Sequence, residues 1–328
     1  MKSHQSLGAV KHFTPLRYPG GKGKLAPLIK SIIVANRLLD GEYAEPYAGG
    51  AGIALELLFH DYVSHIHIND FSRPVHAFWK SVLNQPEKLT RLIHDTPLTV
   101  RSWDKQKKIF AHESDHSDLE VGFAVFFLNR TNRSGILNGG IIGGRDQGGP
   151  WKIDARFNKK GLIERIEAVA RMKRRISVTQ MDALKFLKTR SSALPAKTLI
   201  YLDPPYYVKG SELYYDFYQH EDHERLEKFV ASDLTDKNWI VSYDNVPTIR
   251  KLYNDYRHVV YRIGYSARSA REGAEIMFFS DKLSMVPLVG PIKLVRSRLT
   301  SERRNVSVPR KSSKSKPAKR TPAKVLRR

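Results

Sequence analysis

The run Leu199-Ile200-Tyr201-Leu202, followed at once by Asp203-Pro204-Pro205-Tyr206, constrains this chain more than any other stretch. Four apolar residues, two of them of strand-favouring type, read as a buried strand. Two consecutive prolines end it, because proline has no N–H for the ladder and holds the preceding residue extended. The chain must therefore leave a sheet in an extended turn, with Asp203 and Tyr206 at the carboxyl end of a strand. That is the end at which open α/β sheets bind their ligands. The turn reads as a device for holding a planar amino group beside a reactive cofactor.

The flanking sequence alternates strand and helix. Tyr43-Ala44-Glu45-Pro46-Tyr47-Ala48-Gly49-Gly50-Ala51-Gly52 predicts a short strand and a glycine turn, and Ile53 to Phe59 a helix. Such a βα unit lets a backbone approach a nucleotide closely. Ile66-His67-Ile68-Asn69-Asp70 alternates like a strand and ends in an acid, where ribose hydroxyls are held in folds of this kind. Strands are expected at Ile176 to Thr179, with Asp182 at its end, at Thr198 to Leu202 and at Asn238 to Tyr243, and a helix at Glu221 to Val230. Val259 to Ile263 and Glu275 to Phe279 read as a hairpin. Upstream, Pro15 to Leu25 carries Tyr18, three glycines and Lys22 ahead of a helical pattern. It lacks the Gly-Lys-Ser/Thr of a phosphate-binding P-loop. His65 and His67 share a strand face, but no third ligand stands beside them and no metal is expected.

Residues 71–172 break the alternation. Val75 to Leu83, Leu89 to His94 and Gly122 to Leu128 read as helices, the last too apolar for a surface. Asn129-Arg130-Thr131-Asn132-Arg133-Ser134-Gly135 and the glycine-rich stretch to Gly149 follow. Their amides, guanidiniums and hydroxyls are the groups that read bases and grip phosphates. Nucleic-acid contact is the preferred reading. The alternative is a structural loop tied down by arginine–carbonyl hydrogen bonds. Arg156, Lys159, Lys160, Arg165, Arg171, Lys173, Arg174 and Arg175 add basic surface.

The net charge is +23, of which residues 292–328 supply +13 from 14 basic residues against Glu302 alone. A basic body with a basic extension fits a polyanionic partner. Residues 292–328 are too polar and too charged for a core and are expected to be a disordered tail. There is no cysteine, no apolar run of membrane-spanning length, and no signal-peptide pattern in Met1-Lys2-Ser3-His4-Gln5. A cytoplasmic protein, associated with the nucleoid through DNA, is expected.

In this order the pieces resemble the Dam-like DNA adenine methyltransferases. Pro15 to Lys24 is similar to the family's N-terminal cofactor motif, with Tyr18 where some members carry tryptophan. Glu45-Pro46-Tyr47-Ala48-Gly49-Gly50 resembles its Glu-Pro-Phe-x-Gly motif. Asn129-Arg130-Thr131 with Ser134-Gly135 resembles its recognition loop, and Asp203 to Tyr206 matches its catalytic motif without substitution. The similarity spans roughly residues 13–280.

The resemblance implies a Rossmann-like, S-adenosylmethionine-dependent methyltransferase sheet formed by residues 1–70 and 173–291. A mostly helical DNA-recognition insert would occupy 71–172. It also implies methyl transfer to the N6 amino group of adenine in double-stranded DNA, with the base flipped out. Asp203, Pro204 and Tyr206 would be catalytic, and Tyr18, Lys22, Asp70 and Asp203 would contact the cofactor, with Asp182 a further candidate. Tyr207, Tyr214, Tyr215, Phe217 and Tyr218 would wall the base pocket or pack as an aromatic helix. The enzyme is expected to be monomeric, with a cognate restriction endonuclease as a candidate partner. RNA adenine methylation and a catalytically inactive DNA-binding protein of the same fold are the alternatives.

Overall fold

The computed structural model describes residues 13–17, 22–208, 218–263 and 274–299. Among these, eight strands form one sheet: β1 (Gly41–Glu45), β2 (Val63–Asn69), β3 (Ile176–Thr179), β4 (Thr198–Leu202), β5 (Asn238–Asp244), β6 (Arg257–Ile263), β7 (Ala274–Phe279) and β8 (Ile292–Arg298). Their spatial order is β3-β2-β1-β4-β5-β7-β6-β8. The first five are parallel, and β7, β6 and β8 join antiparallel. The helices are α1 (Ala26–Ala35), α2 (Gly52–Phe59), α3 (Arg73–Asn84), α4 (Pro86–Asp95), α5 (Val100–Ala111), α6 (Asp118–Thr131), α7 (Lys159–Arg171), α8 (Ala183–Arg190), α9 (His220–Asp233) and α10 (Pro247–Leu252). This is the Rossmann-like α/β architecture that the resemblance implied.

Parallel strands covered on both faces read as apolar runs, and all five residues of β4 are buried. One face packs Tyr43, Ile66, Leu199 and Ile240 against Leu28, Leu55, Phe78 and Ile166 of α1, α2, α3 and α7. The other packs Ile200, Val241 and Tyr243 against Phe186, Leu226 and Ile249 of α8, α9 and α10. From β1 the chain builds outward through β2 and β3, then returns to lay β4 on the opposite side. The carboxyl ends of β1 and β4 therefore part into the crevice that such a switch point creates.

Residues 71–172 are mostly helical, and the first helix among them, α3, packs directly on the sheet. Val75, Phe78, Trp79 and Val82 of α3 share one core with Ile66 and Ile68 of β2. An amphipathic helix buries its apolar stripe on the nearest sheet face whatever the role of the segment.

Two sequence expectations need correction. Asn129, Arg130 and Thr131 are the buried last turn of α6, turned inward and tied down much as the alternative had it, not presented for nucleic-acid contact. Asn129 accepts a hydrogen bond from Arg17 N (2.7 Å) and donates to Arg17 O (2.7 Å) and Gly135 O (3.0 Å). Arg130 Nε donates to Pro15 O at 2.7 Å. Asn132 accepts from Trp103 Nε1 (2.7 Å) and donates to Ile136 O and Leu137 O. These side chains satisfy buried backbone groups at a helix end, which need partners inside the protein. Gly135 has φ +77°, and a Cβ there would lie 2.2 Å from Arg17 O, so only glycine lets the two segments meet. Secondly, the basic tail does not begin at 292. Ile292–Arg298 pairs antiparallel with β6 as the sheet's edge strand; Ile292 is buried and the five residues after it are exposed, so backbone pairing rather than a buried face holds it there. Residues 300–328 lie outside those described.

Candidate active site

Asp203 follows β4 directly, on the crevice. Ser242 of the neighbouring β5 donates Oγ–H to Asp203 Oδ1 at 2.7 Å, and Tyr201 Oη lies 2.9 Å from the same Ser242 Oγ. The short 3-10 turn Lys22–Leu25, ahead of α1, buries Lys22. Its Nζ lies 3.3 Å from Asp203 Oδ1 and 3.1 Å from Glu275 Oε2, and donates to Tyr206 Oη at 2.9 Å. Tyr206 Oη in turn donates to Glu275 Oε1 (2.8 Å), and Tyr261 Oη to Glu275 Oε2 (2.9 Å). Thus Lys22, Asp203 and Tyr206, three residues chosen from sequence, meet in one network centred on Glu275 of β7.

Burial raises the Asp203 pKa, Lys22 and the Ser242 hydrogen bond pull it back, and Glu275 pushes it up again. The Asp203 side chain keeps 20% of its surface, the opening through which a ligand group can reach the carboxylate. On the far side of the turn, Asp244 at the end of β5 accepts from Tyr207 N (2.9 Å) and Val208 N (3.2 Å). Backbone donors left over by the prolines' departure from the sheet are thereby satisfied, which stiffens the exit of Asp203-Pro204-Pro205-Tyr206.

The second half of the crevice lies after β1 and β2. Gly49 and Ala51 take positive φ (45° and 47°), turning the chain sharply into α2. Asp70 accepts from Gly49 N through Oδ2 (2.8 Å) and from Ser72 N through Oδ1 (3.0 Å), so the acid after β2 is tied to the glycine turn after β1. Trp79 Nε1 donates to Gly49 O (2.8 Å), and buried Asn69 donates to Pro46 O and Met181 O. Thr14 Oγ1 donates to Gly50 O, and Gly23 Cα comes within 3.7 Å of where a Cβ on Gly52 would stand. The Lys22 turn therefore packs on the start of α2 and joins the two halves. Phe71, next to Asp70, exposes 60% of its surface.

Glu45, at the end of β1, is buried and accepts from Tyr43 Oη at 2.8 Å. Burial pushes its pKa up to about 8; the Tyr43 hydrogen bond opposes this and the charge on Asp203 adds to it. Its unfolded value lies near 4.5, so between pH 4.5 and 8 the folded chain holds a proton that the unfolded chain has lost. Stability must fall across that window, by about 1.4 kcal/mol per pH unit from this group. Glu45→Gln is expected to flatten the pH dependence of unfolding between pH 5 and 8, measured by urea denaturation. An unchanged slope would mean that Glu45 is ionised in the fold.

The remaining expectations divide. Tyr18, Tyr214, Tyr215 and Phe217 lie outside the described residues. Asp182 is exposed and caps α8, accepting from Lys185 N at 3.0 Å. Tyr218 meets Tyr47 hydroxyl to hydroxyl (2.8 Å), and Tyr207 Oη lies 3.2 Å from His220 Nδ1, so both help to wall the space beyond the turn. His65 and His67 are engaged by Ser177 (2.8 Å) and Glu42 (2.7 Å). Among the described residues no group of three or more His, Asp or Glu side chains is arranged to hold a metal ion. No helix among them is long and apolar enough to cross a membrane. Glu275, Ser242, Asp244 and Tyr261 escaped the sequence reading. Glu275 left one signal, an acid inside the apolar strand Ala274-Glu275-Ile276-Met277-Phe278-Phe279.

An open α/β sheet with an Asp-Pro-Pro-Tyr turn at its switch point, and with Asp70 after β2 tied to the glycine turn after β1, has the architecture of α/β proteins that bind ligands at the carboxyl ends of their strands. The family model for the D12 class N6 adenine-specific DNA methyltransferases matches residues 18–263, and the chain belongs to that family. Membership makes it an S-adenosylmethionine-dependent methyltransferase. Among solved structures, similarity extends to a conserved hypothetical protein from Streptococcus pyogenes, at 9% identity, covering 75% of this chain and 89% of that one, TM-score 0.31. It also extends to M. capricolum TrmK in complex with S-adenosyl-homocysteine, at 7% identity, covering 78% and 70%, TM-score 0.33. A third is protein LPL1258 from Legionella pneumophila, at 12% identity, covering 79% and 86%, TM-score 0.28. No curated protein sequence matches significantly.

Proposed function

We propose that the protein transfers a methyl group to the N6 amino group of adenine at specific sites in double-stranded DNA, with the target base flipped into the crevice. The observation that carries this reading is the Asp203 carboxylate at the switch point, fixed by Ser242 and Lys22 and open on one side. The residues suit the cofactor: the acid Asp70 for the ribose hydroxyls, an exposed Phe71 ring beside it for a purine, and a carboxylate-rich crevice for a cation. When bound, S-adenosylmethionine supplies an electrophilic methyl on a sulfonium.

The chain's own residues do the rest. The adenine amino nitrogen is a poor nucleophile because its lone pair is delocalised into the ring. Asp203 accepts one amino hydrogen and the Pro204 carbonyl the other, which draws the nitrogen towards tetrahedral geometry. Both acceptors are fixed before the base arrives, so little reorganisation remains at the moment of reaction. As the N–C bond would form at the expense of the methyl–sulfur bond, with the neutral thioether S-adenosylhomocysteine as leaving group, the nitrogen would gain positive charge and its proton would move onto Asp203 Oδ. Tyr206, pinned at its hydroxyl by Lys22 and Glu275, offers its ring to the flipped base.

The test is uptake of labelled methyl from S-adenosylmethionine by duplex DNA in competition with structured RNA, followed by sequencing of the methylated positions. Label confined to adenine in one DNA sequence context is the expected result. Preferential label in RNA, or none in either, would overturn the reading.

A further inference from the structure

Arginines converge on the N-terminal segment 13–17, where it crosses the seam between the sheet and α6–α7. Arg17 belongs to that segment. Arg130 Nε donates to Pro15 O at 2.7 Å, and Arg165 Nη1 donates to Thr14 O at 3.4 Å. The charge on exposed Arg156, just ahead of α7, adds to burial, the larger effect, in lowering the Arg17 pKa. Burial first, and then Arg165 and Arg17, push the Arg130 pKa down to about 9. Elsewhere arginines meet acids, as Arg145 does Asp104 and Arg175 does Asp61. Among the described residues no carboxylate forms an ion pair with any of these four. Arg17 Nη1 is buried with no hydrogen-bond partner.

A buried donor left without an acceptor costs about 1–3 kcal/mol, and like charges held together add to that. An anion would satisfy both at once. The guanidinium fork matches phosphate oxygens in pairs. The four arginines range from buried Arg130, held on Pro15, to exposed Arg156, more positive charge than one carboxylate balances, which suits successive phosphates better. The segment they surround also adjoins the crevice. Thr14 is bonded to Gly50 O of the glycine turn, and Arg17 precedes Lys22 by five residues, a reach of at most about 18 Å.

We propose that Arg17, Arg156 and Arg165 clamp phosphates of the DNA strand flanking the target adenine, at the seam between sheet and insert. This rests on the DNA methyltransferase reading and moves the contact from the Asn129 to Gly135 stretch to arginines around the segment 13–17.

Binding of a defined duplex oligonucleotide by the full-length chain, followed from about 50 to 200 mM salt, tests the clamp. Arg156→Gln should reduce the slope of log affinity against log salt by about 0.9, and Arg17→Gln/Arg156→Gln by roughly twice that. Cofactor binding by Arg156→Gln, measured by calorimetry, should stay unchanged. Arg156 is exposed, so its single variant decides the matter even if Arg17→Gln fails to fold. Arg17→Lys should keep the slope yet weaken binding, because the charge remains and the fork is lost. An unchanged slope in Arg156→Gln overturns the clamp. So does weakened cofactor binding with the slope intact, which would assign the arginines to the cofactor's carboxylate. Methyl transfer by the unmodified chain is measured alongside. Reduced slopes without any transfer would leave the clamp standing and overturn the reaction.

Discussion

Asp203→Ala is expected to lower methyl incorporation into duplex DNA by about 10²–10³-fold or more, with binding of S-adenosylmethionine still measurable. The carboxylate is held in advance by Ser242 at 2.7 Å and Lys22 at 3.3 Å, so its loss removes an acceptor that needed no rearrangement. Asp203→Asn sharpens the case. The amide keeps the shape, but it halves the acceptor capacity and brings a donor against the adenine N–H groups, so it too should fail. Single-turnover transfer of labelled methyl, paired with equilibrium cofactor binding, separates this from a cofactor defect. Transfer surviving in both variants would remove Asp203 from the reaction. The pH profile carries a second signature. Burial raises the Asp203 pKa above its ordinary 3.8, and the residue accepts a proton only when ionised. The rate of the unmodified enzyme should therefore fall as pH drops through that raised value, at a higher pH than an exposed aspartate would give.

Much of this site was legible in the sequence because strand ends are punctuated. Prolines at 204 and 205 stop β4, the glycines at 49 and 50 turn the chain after β1, and an acid follows β2, each fixing a residue at the same sheet edge. Such signals are local. Glu275 was hidden because its role depends on β7 lying against both β5 and β6, a pairing between distant segments that no short pattern encodes. Asn129 and Arg130 misled for the opposite reason. Side chains that can grip a phosphate can equally satisfy a backbone carbonyl, and only the path of residues 13–17 decides between them. The strand at 292–298 was overlooked because charge pointed to solvent, and most of its side chains do face solvent; its place depends on backbone pairing with the distant β6, which no local pattern encodes.

Lys22→Met is expected to produce the largest loss of stability, about 3 kcal/mol at pH 8. Methionine preserves the length and apolar packing of the stem, so the effect isolates the charge. Lys22 is 5% exposed and lies within 3.3 Å of one carboxylate and 3.1 Å of another. Removing it leaves Asp203 and Glu275 facing each other in poorly solvated surroundings, and breaking a buried pair from one side costs about 3–5 kcal/mol. The lower end applies because Asp203 keeps a fifth of its surface. Without the cation, the folded-state pKa of the Asp203 carboxyl rises further above its unfolded value. The penalty is therefore full at high pH, shrinks as pH falls and the carboxyl protonates in the fold, and vanishes below the unfolded carboxylate range near 4. Urea denaturation of Lys22→Met and the unmodified chain at pH 8 and pH 5 should show a smaller gap at pH 5. Adding Glu275→Gln to Lys22→Met should recover part of the loss at pH 8, because the amide carries no charge, still accepts from one of the Tyr206 and Tyr261 hydroxyls through its oxygen, and can donate its NH2 to the other. An equal gap at both pH values, with no recovery in the double variant, would show that Lys22 acts through packing and not as the counter-charge of this site.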